Sequence, residues 1–155
     1  RNAHMSVDEL DTLFNKRSGM MGLTGFGDLR EVHRLVEEGN EDAKLALDIY
    51  VHRIVGYIGN YTAQMGGVDV ITFTAGVGEN DDVVRKMVCD KLAPFGVKLD
   101  EEKNATRSKE PRIISTPDSA VTICVIPTNE ELAIARKSAA IAEEGKDSYG
   151  NVFSK

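Results

Sequence analysis

Residues 73–80 read FTAGVGEN and follow an apolar, β-branched run, DVITFT at 69–74. A helical pattern begins after them, so Gly76 and Gly78 fall in a strand-to-helix turn. Such a turn gathers free backbone N–H groups and the positive end of a helix dipole at one spot. That is the chemistry of anion and nucleotide binding. Glycine at 76 and 78 lets a ligand approach the backbone with no Cβ in the way. Asn80 offers both a donor and an acceptor to a nucleobase or ribose edge. The same pattern also fits a plain corner, two turn glycines with Asn80 capping the next helix. Neither standard phosphate loop is present. Asp81 stands where a third Rossmann glycine belongs, and no Lys-Ser/Thr follows for a Walker A loop. Asp81 and Asp82 would repel a phosphate at that helix end, which favours the nucleoside part of a ligand.

Two other places carry usable side chains. Asp28 and Arg30 follow a glycine-rich stretch, SGMMGLTGFG at 18–27. Arg30 could meet a phosphate or stack on a base, or Asp28 could simply cap a helix with Arg30 solvated. Glu130 and Glu131 follow an apolar run ending at Pro127. Glu131 fits the third helical position of a box capped by Thr128. Glu130 is then free for a hydrated Mg²⁺, which takes one or two carboxylates plus substrate oxygens, or it serves only the helix dipole. His33 and His52 stand alone on helical stretches, without a ligand-spaced partner, and read as helix-face residues. No Ser/His/Asp or Cys/His arrangement can be built.

The elements that must hold these residues are legible as patterns. Ser6–Glu9 and Asp28–Glu31 are capping-box sequences opening helices that stop at Gly19 and Gly39. Residues 18–27 read as a loop that approaches something closely. Asn40 caps the longest helix, with Ala43, Leu47, Val51, Ile54 and Ile58 on one stripe, fading at Gly66 and Gly67. Residues 69–74 read as a buried strand. A helix from about Asp81 turns Val84, Met87, Val88 and Leu92 inward and ends at Pro94 and Gly96. Residues 112–115 and 120–127 read as two further strands, and 97–110 as a small peripheral element. A last helix runs from Thr128 to Gly145. This order predicts an α/β fold with a short sheet of about three strands flanked by helices. Three candidate sites sit at helix N-termini and two follow strands, so they can converge on one cleft at the carboxyl end of the sheet.

The bulk properties set the outer limits. A chain of 155 residues with 41% hydrophobic content can bury a core, and a net charge of −6 argues against a nucleic-acid surface. No apolar run reaches the ~18 residues of a membrane span. Cys89 and Cys124 lack metal spacing and read as reduced thiols in a cytoplasmic protein. Residues 1–5, RNAHM, read as a cloning scar, and the unpatterned tail 146–155 as disordered.

Taken together, SGMMGLTGFGDLR, FTAGVGEN and IPTNEELAIAR, in this order, resemble the C-terminal part of the acetate kinase family. The family belongs to the superfamily of acetate and sugar kinases, Hsp70 and actin. The resemblance spans about 6–143 and marks 6–145 as a C-terminal nucleotide-binding portion. It implies a partial actin-like ATPase (ribonuclease H-like) domain. It also implies a reversible transfer of the γ-phosphoryl of ATP to acetate, giving ADP and acetyl phosphate, with Mg²⁺. Asp28, Leu29 and Arg30, and Gly76, Val77, Gly78, Glu79 and Asn80, match the family's nucleotide-binding segments. Glu130 matches its magnesium-site glutamate. The family usually has isoleucine at the position of Val77 and often serine at that of Gly27. Its acetate pocket, catalytic histidine and arginines, and N-terminal phosphate-loop strands match nothing in this stretch. The resemblance therefore implies a homodimer in the whole enzyme and no turnover by this stretch alone. A propionate or butyrate kinase relative, and a nucleotide-binding or interaction module without catalysis, are the alternatives.

Overall fold

The computed structural model describes residues 5–144. Helix α1 (Val7–Lys16) opens on the expected box: Ser6 Oγ accepts from the Glu9 amide, and Glu9 accepts from the Ser6 amide at 2.7 Å. Residues 19–24, expected as loop, instead form a short helix, α2 (Gly19–Thr24), closed by Gly25 at φ 77°. Helix propensity is poor there. The turn is held by Thr24, whose hydroxyl donates to the Met20 carbonyl, and by packing against the next long helix. Helix α3 (Leu29–Glu37) is capped by Asp28 as expected, but Glu31 pairs with Arg34 instead of closing a box.

Helix α4 (Glu41–Met65) begins where Asn40 Oδ1 accepts from the Ala43 amide at 2.9 Å and ends at Gly66 in the left-handed region. Its small buried residues Ala43 and Ala46, with Leu47 and Val51, let α2 and α3 pack closely on it. Strand β1 (Val70–Phe73) leads into a short helix, α5 (Ala75–Asn80), and then α6 (Asp82–Lys91). A 3₁₀ turn at Ala93–Phe95, helix α7 (Glu101–Ala105), β2 (Arg112–Ile113), β3 (Thr122–Val125) and α8 (Glu130–Glu144) complete the order.

The sheet order is β1-β3-β2, with β3 parallel to β1 and antiparallel to β2. Ile71 and Phe73 of β1 and Ile123 and Val125 of β3 point into one core with Val84 and Val88 of α6 and Leu47 and Val51 of α4. Full burial of a side chain such as Ile123 contributes about 1.5–3 kcal/mol. The expectation of a buried β1 holds for one face only, since Val70 on the other face is 53% exposed.

Parallel pairing of β1 with β3 brings the two strand ends to the same edge, where the Ile126 amide donates to the Phe73 carbonyl at 2.9 Å. The segments after both strands therefore start side by side.

Candidate nucleotide site

The 73–80 stretch is neither a loop nor a helix capped by Asn80. Its last six residues form helix α5, after Phe73 of β1 and the extended Thr74, with its own reasons for existing. Thr74 is extended, and Ala75 then takes φ 58°, a left-handed backbone unusual for a residue with a Cβ. Gly78 lies against β1. A Cβ there would sit 3.1 Å from the Phe73 carbonyl carbon, so this glycine serves close packing. Gly76 faces open space, with nothing within 4 Å of a Cβ position. Asn80 Nδ2 donates to the Gly76 carbonyl at 2.8 Å. The cap of α6 is Asp81, whose Oδ1 accepts from the Val84 amide at 2.9 Å.

Arg85 fastens this turn from below, and the sequence reading missed it. It is 2% exposed. Its Nη1 donates to the carbonyls of Gly78 and Glu79, each at 3.0 Å, and its Nε and Nη2 donate to Oδ1 and the carbonyl of Asn104, each at 2.7 Å. Asn104 is itself buried and donates Nδ2 to the Asp82 carbonyl at 2.9 Å. The guanidinium thus supplies donors to the last carbonyls of a helix too short to be stable alone. Burial pushes the Arg85 pKa down from its ordinary value. A buried arginine without a carboxylate partner leaves no periodic signal, which is why the pattern did not reveal it.

His33 is not a bystander on α3. Its Nε2 lies 2.7 Å from Asp81 Oδ2, so one carboxylate caps α6 with one oxygen and meets α3 with the other. This ties the Asp28 segment to the Asn80 segment. Burial, and next the charge of Asp81, raises the pKa of the nearby Tyr50 hydroxyl.

These ties shape an open cleft of about 1140 Å³. Asp28, Leu29 and Arg30 line it with Gly76, Val77 and Asn80, over a floor that includes Ala46, Ile49 and Tyr50 of α4. Arg30 folds back on Asp28, its Nε 3.1 Å from both carboxylate oxygens, and this pairing holds the Asp28 carboxyl at about 2. Gly78, Glu79 and Glu130 are not among the lining residues. Glu79 turns to the other strand end, where Thr128 donates its amide at 2.8 Å and its hydroxyl at 3.1 Å to Oε1. The Thr128 amide bond, above all, lowers the Glu79 pKa. Thr128 is therefore not the cap expected for the last helix. Asn129 is, with Oδ1 accepting from the Leu132 amide at 2.9 Å, so Glu131 has no Thr128 box to close. Glu130 is exposed at the start of α8. Among the described residues, no group of three or more His, Cys, Asp or Glu side chains could hold a metal.

Comparison with known proteins decides the family. The family model described as "Acetokinase family" matches residues 1–136. The chain belongs to the acetokinase family. Acetate kinase of Leifsonia xyli is 54% identical over 138 residues, covering 89% of this chain and 35% of its own length. Acetate kinase of Corynebacterium efficiens is 52% identical over 143 residues, covering 92% and 36%. The acetokinase chain thus spans about a third of the length of these relatives. The crystal structure of Porphyromonas gingivalis acetate kinase superposes with a TM-score of 0.80 at 40% identity, covering 92% of this chain and 36% of that one. A propionate kinase from Francisella tularensis gives 0.77 at 39% identity, covering 87% and 34%. The fold is therefore the matching part of the actin-like kinase architecture, a three-stranded sheet flanked by helices.

Proposed function

We propose that this chain forms the nucleoside side of an ATP/ADP site, and that the whole protein is an acetate kinase. In that reading it transfers the γ-phosphoryl of ATP reversibly to acetate, giving acetyl phosphate and ADP. The observation that carries the proposal is the single cleft uniting residues 28–30 with Gly76, Val77 and Asn80. It is large enough to admit a nucleoside. Asn80 commits its amide nitrogen to Gly76, and its Oδ1 has no hydrogen bond among the described residues. That oxygen is an acceptor for an exocyclic amino group, which adenine has. Glu79, though its segment matches the family motif, supports the site through Thr128 and not from the cleft wall. Gly78 supports it by packing.

Glu130 is the candidate Mg²⁺ carboxylate. Its side chain makes no hydrogen bond or ion pair among the described residues, and it stands three residues beyond Pro127, next to the Thr128–Glu79 contact that joins this strand end to α5. One carboxylate fits Mg²⁺, which keeps several waters and takes its other ligands from phosphates. When bound, the ion would neutralise phosphate charge.

Residues 6–145 are on this proposal the C-terminal nucleotide-binding portion of a cytoplasmic enzyme. Exposed apolar side chains four apart on α4, Tyr57, Tyr61 and Met65, support a face covered in a homodimer. Among the described residues, no helix is long and apolar enough to cross a membrane. Phosphoryl transfer needs its positioning and charge-stabilising groups together, so this stretch alone is expected not to turn over. The likeness to a propionate kinase keeps a longer acyl acceptor as the second reading. Calorimetry of the chain with ADP and Mg²⁺ tests the nucleotide half-site. Binding that is lost in Asn80→Ala supports it, and no heat from a folded chain overturns it.

A further inference from the structure

We propose that Arg107 closes the cleft by stacking its guanidinium on the face of the bound nucleobase. The inference rests on the nucleoside reading above. Arg107 lines the cleft with Leu29, Tyr50 and Asn80, and it is exposed. It makes no hydrogen bond or ion pair among the described residues, whereas the cleft's other arginines are engaged. Arg30 is paired with Asp28, and Arg53 lies 5.9 Å over the Tyr57 ring.

Its position is set by the network beneath the turn. Asn104, three residues earlier, is held by Arg85 and bonds the Asp82 carbonyl. Arg107 is therefore carried on a short tether from the Asn80 end of α5, where α6 begins. The fixed carboxylates at this part of the cleft, Asp28 and Asp81, disfavour phosphate there. A planar, weakly hydrated guanidinium suits an aromatic face, and the apolar floor from Ile49 and Tyr50 suits the same ring.

The test titrates the chain with adenosine and with ADP–Mg²⁺, in wild type and in Arg107→Ala, Arg107→Lys and Arg107→Tyr. Circular dichroism checks that each variant is folded. Stacking predicts that Arg107→Ala weakens both ligands by roughly tenfold. It predicts that lysine, which keeps the charge but not the plane, behaves like alanine, and that tyrosine restores binding. Unchanged affinity in Arg107→Ala overturns the proposal. So does full rescue by lysine, or a loss confined to ADP, either of which would mark a phosphate contact. Wild-type chain that binds neither ligand overturns the nucleoside reading itself, and this inference with it.

Discussion

Asn104→Ala should damage the chain far more than its place in a charged peripheral segment suggests. The side chain is 4% exposed and makes two hydrogen bonds that alanine cannot. Removing Oδ1 leaves Nε of the buried Arg85 without its acceptor, a charged hydrogen bond of about 1.5–3 kcal/mol. Losing the Nδ2 donor to the Asp82 carbonyl adds about 0.5–1.5 kcal/mol. The sum, about 2–4.5 kcal/mol, is a large part of the ~5–15 kcal/mol a domain has in hand. Urea denaturation followed by circular dichroism should show it. With a slope of about 1–3 kcal/mol per molar, the midpoint should fall by roughly 1–4 M. Amide exchange at 78–80 should speed up at the same time, because Arg85 also holds the Gly78 and Glu79 carbonyls. A loss below about 0.5 kcal/mol, the size of an ordinary surface change, would refute the idea that this pair holds the turn.

Gly78→Ala puts a Cβ 3.1 Å from the Phe73 carbonyl carbon; overpacking of about 1–3 kcal/mol is expected, against little change for Gly76→Ala, compared by thermal unfolding. Ala75→Gly should stabilise the chain by about 1 kcal/mol by relieving the left-handed backbone at φ 58°, and a lowered urea midpoint would contradict this. The Asp28 carboxyl, held at about 2 against an ordinary 3.8, should titrate near 2 by carboxyl-carbon NMR. Because its folded pKa is depressed, its contribution is complete above about pH 3.8 and is lost as pH falls through about 2. A midpoint near 3.8 would show that the Arg30 pairing is absent in solution.

Periodic and capping signals were readable where a local rule decides the structure. Asn40 and Ser6 cap their helices as their sequences say, and the three strands lie in the expected stretches. Of the three places expected to converge, residues 28–30 share one cleft with Gly76, Val77 and Asn80, while Glu130 does not line it. What was hidden depends on contacts distant in sequence. Glycines at 76 and 78 argue against helix, yet α5 forms because Arg85 bonds its last carbonyls and Gly78 nests on Phe73. Thr128 has the local sequence of a cap, but Glu79 takes its amide and hydroxyl first. His33 has no local partner, and meets Asp81 only once α3 and α6 are packed. The scar and tail expected at the two ends lie almost wholly outside the described residues, with only Met5 and the end of α8 reaching toward them.

The central claim is that residues 28–30, with Gly76, Val77 and Asn80, make one nucleoside-binding cleft. Backbone amide shifts of the labelled chain, followed while ADP and Mg²⁺ are added, test it most directly. The account predicts saturable shifts at Leu29, Arg30, Gly76, Val77 and Asn80, around the cleft over Tyr50. Shifts confined to another surface, such as the hollow beside Asp8 and Thr12 of α1 and Arg17 just after it, or none at millimolar nucleotide, would contradict it.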